Sequence, residues 1–224
     1  APQHPSVHPL PRLLLLFPHA DARREKSPWA LSNPSWAEPV EPFRIAGNLY
    51  YVGPKGLAVF LLTTEEGHIL IDGGLPGYEA QIAASIEALG YKMSDIRLLL
   101  NTHAHFDHSG GLAKIKEQTG ASLHAMQGDV SALEGGFYLG SEELEAFNSP
   151  PVKVDSILHD GDEVRLGDTV LTARLTAGHS RGCTSWWISL EEGGETLETL
   201  IFCSATVAAN RLVGPPQYEG IVED

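Results

Sequence analysis

Residues 101–111 read Asn-Thr-His-Ala-His-Phe-Asp-His-Ser-Gly-Gly, which puts four side chains able to bind metal within six positions. In extended backbone, alternate side chains share a face, so His103 and His105 can point at one ion. Asp107 and His108 follow where the chain begins to turn into a helix, and they can face a second, neighbouring position. A remote ligand is offered by His179 in Ala177-Gly178-His179-Ser180, at the end of a strand-like segment where Gly178 lets the backbone turn. Imidazole and carboxylate are ligands Zn²⁺ takes, and two near histidines with one distant histidine leave a coordination place for water. A lone His-x-His is often chance. The whole constellation, set at a strand-to-helix turn, is far more specific.

Such residues need elements that hold them. The patterning predicts strands over 44–52, 57–63 and 68–72, joined by Gly/Pro or Glu-Glu-Gly turns. Residues 78–89 carry Ile82, Ile86 and Leu89 at helical spacing and stop at Gly90, a natural C-terminal cap. The apolar run 96–101 is a strand that leads directly into the histidine motif. A helix over 111–119, a strand over 121–125 and a short helix near 129–133 follow. Residues 134–154 read as a loop with a short helix around 142–147. Strands return at 163–166 and 169–176, and the last unit is a hairpin of 184–190 and 196–203. Strands, then strand–helix alternation, then strands again indicate an α/β (α+β) sandwich with mixed sheets. Residues 1–42 hold nine of the fifteen prolines and show no sustained period, so they read as a Pro-rich N-terminal arm ahead of a domain at 43–224. The apolar run 13–17 is short for a signal peptide and is followed by no clear small-residue cleavage site.

With 224 residues and 42% hydrophobic content the chain can bury one sizeable core. Its formal net charge is −14, from 29 Asp and Glu against 15 Lys and Arg, which leaves no electrostatic footprint for nucleic acid or an anionic membrane. No apolar run approaches the ~20 residues a spanning helix needs. Neither a nucleic-acid nor a membrane partner is therefore expected.

The His-x-His-x-Asp-His run at 103–108, Asp72 closing Ile69-Leu70-Ile71-Asp72-Gly73-Gly74, and Gly178-His179 together resemble the metallo-β-lactamase superfamily over about residues 43 to 224. Several stretches look like its third lactamase subclass, whose second metal is held by Asp and His without Cys. These are Tyr50-Tyr51-Val52-Gly53, Leu99-Leu100-Asn101-Thr102, Gly182-Cys183-Thr184-Ser185-Trp186, and Phe202-Cys203-Ser204-Ala205-Thr206 running on to Asn210-Arg211-Leu212-Val213-Gly214.

The resemblance implies a four-layer αββα sandwich with two zinc ions in a groove at one sheet edge. His103, His105 and His179 would hold the first, and Asp107 and His108 the second. The implied reaction is hydrolysis of the β-lactam amide bond by a metal-bound hydroxide, with Asp107 also orienting the nucleophile or handling its proton. Thioesterases, lactonases and nucleases of the superfamily often bridge their metals with an Asp at the end of a later strand. Ser204 falls at that place here and cannot act as a bridging carboxylate. The other lactamase subclasses would have a Cys ligand there. Cys203 is one residue away, and His108 argues against them. By resemblance Ser204 and Thr206 would hydrogen-bond the substrate carboxylate; the alternative is that they cap the strand end. Hydrolysis of another ester, lactone or thioester, or a metal-binding chain with little activity, are the competing readings. The family has one more histidine ligand on a later strand before a final helix, whereas no histidine follows His179. The resemblance thus implies that this C-terminal part is missing and that the second zinc, with two protein ligands, is held weakly.

Gly178-His179-Ser180-Arg181-Gly182 also matches the Gly-x-Ser-x-Gly nucleophile elbow, but a strand-like run follows it and no later histidine could complete a triad. Two cysteines, Cys183 and Cys203, are too few for a Cys-based zinc site. A hairpin centred on Gly193 places both ten residues from the turn, facing each other across the strands. Opposed residues in antiparallel pairs lie within disulfide reach, so a bridge is expected, and with it an oxidising, periplasmic or secreted location.

Overall fold

The computed structural model describes residues 28–207, 212 and 215–222; residues 1–27 of the expected arm and positions 210, 211, 213 and 214 of the quoted motif lie outside it. A short helix α1 (Pro28–Ser32) precedes an antiparallel meander of β1 (Phe43–Ala46), β2 (Leu49–Tyr51), β3 (Phe60–Thr64) and β4 (Gly67–Ile71). Helix α2 (Glu79–Ala88) then leads to β5 (Ile96–Leu100). Helices α3 (Phe106–Ser109) and α4 (Leu112–Thr119) lead to β6 (Ser122–Met126), and α5 (Val130–Gly135) to β7 (Ser156–Leu158). Strands β4 to β7 pair in parallel, and the seven strands lie in chain order in one sheet. The second sheet is antiparallel, ordered β11-β10-β9-β8, from β8 (Glu163–Leu166), β9 (Thr169–Leu175), β10 (Thr184–Glu192) and β11 (Glu195–Ile201). This is the mixed α/β sandwich the patterning calls for.

Side-chain alternation along the strands sorts the core into two layers. Strand β4 is buried at all five positions because both its faces are covered. Its Leu70 packs with Ile82 and Ile86 of α2 and Leu112 and Ile115 of α4. Its Ile69 and Ile71 point the other way, toward Leu171, Trp186 and Ile188 of the smaller sheet. Each fully buried aliphatic side chain of this kind contributes about 1.5–3 kcal/mol. On the opposite face of the smaller sheet, Thr172, Trp187 and Leu200 stand in one row, with Trp187 and Leu200 exposed.

Local chemistry explains the departures from the expected elements. The span 44–52 is two strands rather than one: Gly47 adopts φ +50° and lets the chain reverse, pairing Ala46 with Leu49. Strand β7 has three residues, too few for a period to show. The described residues ahead of β1 pack on the domain, with Ala30 buried and the Gly56 amide donating to the Ser35 carbonyl at 2.9 Å.

Cys183 and Cys203 form a disulfide with Cα atoms 5.8 Å apart. The expectation of a bridge holds, but the register behind it does not. The hairpin turns through Gly193 and Gly194, both at positive φ, and pairs Glu192 with Glu195 and Trp186 with Ile201. That register is one residue away from opposing the two cysteines. Beyond Ile201 the chain leaves the ladder, and the Cys203 amide donates to Ser185 Oγ at 3.0 Å. The bridge thus anchors a strap over residues 202–206. Closing a loop of sequence separation 20, it is expected to stabilise the fold by about 3 kcal/mol. Urea unfolding of the Cys183→Ser/Cys203→Ser double variant should show that loss; an unchanged midpoint would contradict it.

Candidate metal centre

The parallel strands β4 and β5 end side by side, and the loop of Asp72 and the loop carrying His103 to His108 begin there. Open α/β sheets place ligands beyond such carboxyl ends. The Asp72 amide extends the pairing by donating to the Leu100 carbonyl at 2.9 Å. His105 is still extended, at φ −96° and ψ 147°, before α3 turns Asp107 and His108 into a helical turn. The two loops pack without side chains between them. The Gly73 amide donates to the His108 carbonyl at 2.7 Å, and a Cβ on Gly111 would lie 2.3 Å from the Gly73 carbonyl oxygen.

One ligand atom from each of His103, His105 and His179 lies within 4.8 Å of the other two, and the same is true of His103, Asp107 and His108. All five sequence-selected residues therefore meet in one place. His105 Nδ1 is 3.2 Å from His179 Nε2, and the rings of His103 and His108 are 4.1 Å apart.

Proton counting shows which nitrogens are free. Asp72 is 1% exposed and accepts from the Thr102 amide at 2.7 Å, Asn101 Nδ2 at 2.9 Å, Thr102 Oγ1 at 2.7 Å and His108 Nδ1 at 2.8 Å. Thr102 Oγ1 spends its only proton on Asp72, so it accepts from His103 Nδ1 at 3.1 Å. That leaves His103 Nε2 as a bare lone pair, and it is buried with no hydrogen-bond partner. His108 Nε2, across the ring from the Asp72 bond, lies 3.7 Å from Asp107 Oδ2. His179 Nδ1 donates to the Thr206 carbonyl at 3.0 Å, so its Nε2 carries a lone pair, which faces His105 Nδ1 at 3.2 Å. Metal-binding histidines are oriented by such bonds on the other ring nitrogen. An orphaned buried nitrogen among converging imidazoles and a carboxylate fits zinc. Because His103 has one free nitrogen, it can serve only one ion, and Asp107 and His108 remain as candidate donors for a second.

The family model of the metallo-β-lactamase superfamily matches residues 52–192. The chain belongs to the metallo-β-lactamase superfamily. Solved relatives include BJP-1, a subclass B3 metallo-β-lactamase of Bradyrhizobium japonicum, at 51% identity and a TM-score of 0.84, covering 87% of this chain and 73% of that one. Native FEZ-1 metallo-β-lactamase from Legionella gormanii is 44% identical with a TM-score of 0.79, over 84% of this chain and 72% of that one. The class B3 di-zinc enzyme LRA-12 from an Alaskan soil metagenome is 37% identical with a TM-score of 0.80, over 86% and 74%. This superfamily is zinc-dependent, in keeping with the donor set here.

Several superfamily residues have neighbours that no local pattern announces. Tyr138 lies flat on His105, with ring centroids 4.1 Å apart at 11°, and burial with the Asp107 charge pushes its phenol up to about 12. Ser204 Oγ and Thr206 Oγ1 are 3.0 Å apart, and Thr206 Oγ1 is 3.1 Å from His179 Nδ1, so the strap beside the metal centre presents both hydroxyls. Cys203 is committed to its disulfide and offers no thiolate ligand. Ser180 Oγ donates to Asp129 at 2.7 Å and the chain then enters β10, not a helix, so the elbow-like match carries no nucleophile.

Burial and the positive neighbours His108, His105 and His179 hold His103 well below the usual imidazole range. Burial does the same to His105, and lowers His179. Burial also pulls on His108, but the charge and hydrogen bond of Asp72 outweigh it and leave that imidazole raised. A lowered imidazole adds stability that is full above the unfolded value near 6.5 and is lost as pH falls; a raised one acts in the opposite sense. With three lowered and one raised, the metal-free protein is expected to lose stability between about pH 7 and pH 5.5, before carboxylates titrate. Urea midpoints across that range check this, and a flat profile would contradict it.

Proposed function

We propose that this chain hydrolyses the amide bond of β-lactam antibiotics with zinc as cofactor. His103, His105 and His179 hold one ion, and Asp107 and His108 contribute to a second. The observation that carries this reading is the convergence of these donors around the unpartnered His103 Nε2, in a chain 51% identical to a subclass B3 enzyme. Zinc bound there supplies a polarised substrate carbonyl and a nucleophilic water near neutral pH.

The chain's own residues do the rest. Asp72, directly and through Thr102, keeps the His108 and His103 donors pointed inward. Asp107, whose side chain is 18% exposed, is placed to orient the nucleophile and take up its proton. Ser204 and Thr206, on the strap beside His179, bind the substrate carboxylate. The catalytic unit is the domain over 43–224, and 1–42 is an arm. The disulfide favours an oxidising compartment, so we place the protein in the periplasm or outside the cell. No described helix is long and apolar enough to cross a membrane.

The test is hydrolysis of nitrocefin and a carbapenem by the zinc-loaded chain, before and after dialysis against a chelator. Turnover that disappears with the metal and returns on adding zinc is the expected result. A zinc-loaded chain that leaves β-lactams intact but cleaves a lactone or thioester would overturn it.

A further inference from the structure

Asp129 stands outside every residue assigned so far. It lies in the turn after β6, is 2% exposed, and belongs to neither candidate ligand loop. Yet its carboxylate touches both. Oδ2 accepts from the Ala104 amide at 2.8 Å, and Ala104 lies between His103 and His105. The same oxygen accepts from Ser180 Oγ at 2.7 Å, one residue after His179. Oδ1 accepts from the Gly182 amide at 2.7 Å, in the same loop as His179. The contact is close enough to exclude side chains: a Cβ on Gly182 would lie 2.5 Å from the Asp129 amide nitrogen, and one on Gly128 would lie 2.5 Å from the Arg181 carbonyl oxygen. A carboxylate taken out of water needs such donors, and once satisfied it resists displacement because an unpaired buried charge costs more than an unpaired neutral group.

We propose that Asp129 is a positioning residue for the metal centre: one buried carboxylate fixes the loop carrying His103 and His105 against the loop carrying His179. This rests on the zinc reading above. The near and remote ligands belong to different sheets, and their separation is set where these loops meet. Three short charge-assisted bonds at that junction hold it more stiffly than apolar packing of the loops would. In Asn the second oxygen becomes an NH₂ group, so at least one of the two backbone amides then faces a donor. The loops must shift to relieve it, and the imidazoles shift with them.

The test measures zinc affinity of metal-stripped protein by competition with a chromophoric chelator, together with the visible spectrum of the cobalt(II)-loaded form. Asp129→Asn is expected to weaken the tighter ion by about 10–100-fold, the usual effect of removing an outer partner of a metal ligand. It should also change the cobalt ligand-field bands, which report coordination geometry. Ser180→Ala deletes one of the three bonds and keeps the carboxylate, so a smaller loss in the same direction is expected. If Asp129→Asn does not fold, Ser180→Ala decides alone. A folded variant with lowered stability but wild-type zinc affinity and an unchanged cobalt spectrum would overturn the proposal, as would Ser180→Ala indistinguishable from wild type when Asp129→Asn does not fold. Failure of the wild-type chain to bind zinc would instead remove the proposed function, and this inference with it. Loss of β-lactam turnover alone touches neither arm.

Discussion

Replacing His105 by Ala is expected to lower zinc-dependent β-lactam hydrolysis by about 10³-fold, the scale on which loss of one preorganised electrostatic stabiliser is felt. His105 is 7% exposed and stacked under Tyr138, so its imidazole is held in one orientation. Its Nδ1 lies 3.2 Å from His179 Nε2, and the substitution leaves two imidazoles where three converge. Zinc with too few protein ligands is bound weakly and exchanges its place for bulk water. The fold should survive, because His105 lies in a loop and the two core layers do not include it. The expected pattern is therefore wild-type circular dichroism, a lost tight zinc ion and collapsed turnover. Activity within tenfold of wild type would show that His105 is not a ligand. Tyr138→Leu offers a graded companion, since it removes the stacked ring but leaves the donor.

Asp72→Ala is expected to cost about 3–5 kcal/mol of stability in the metal-free protein, a range reached when a buried network loses its centre. Four donors converge on this one carboxylate, and Asn101, Thr102 and the carboxylate itself are buried. Removing it strands their protons without water to replace it. Backbone geometry adds to the loss: Asp72 adopts φ +66°, a conformation Asp and Asn tolerate and Ala does not. Asp72→Asn retains that tolerance and should be the milder change. Urea unfolding of both variants gives the ordering, and Asp72→Ala within 1 kcal/mol of wild type would refute the account. Zinc affinity should fall as well, because His108 then loses the bond that orients its ring, and Thr102, which orients His103, loses the acceptor of its hydroxyl.

The five candidate ligands were legible because their placement follows from local geometry. His103 and His105 share a face wherever the backbone is extended, and α3 starts at Phe106, just ahead of Asp107 and His108, where the chain was expected to turn. The strands of the core were legible for the same reason: alternation and β-branched runs act over a few residues. Three-residue β7 and the reversal at Gly47 escaped, since neither offers enough positions for a period.

Tertiary structure alone decided what supports the ligands. Asp72 reaches Thr102 across 30 positions, and Asp129 reaches Gly182 across 53. Asp72 was marked by the apolar strand it closes, but not its partners; nothing in the immediate sequence of Asp129 distinguishes it from a surface carboxylate. The disulfide shows the same division. Two cysteines flanking a hairpin made a bridge expected, yet their meeting depends on the chain leaving the β11 ladder after Ile201 to bond with Ser185. Ligand type and spacing are written in short stretches of chain because a strand or a helical turn repeats within a few residues. The second layer of hydrogen bonds is not, because it forms only when segments far apart in sequence are packed at the ends of adjacent strands.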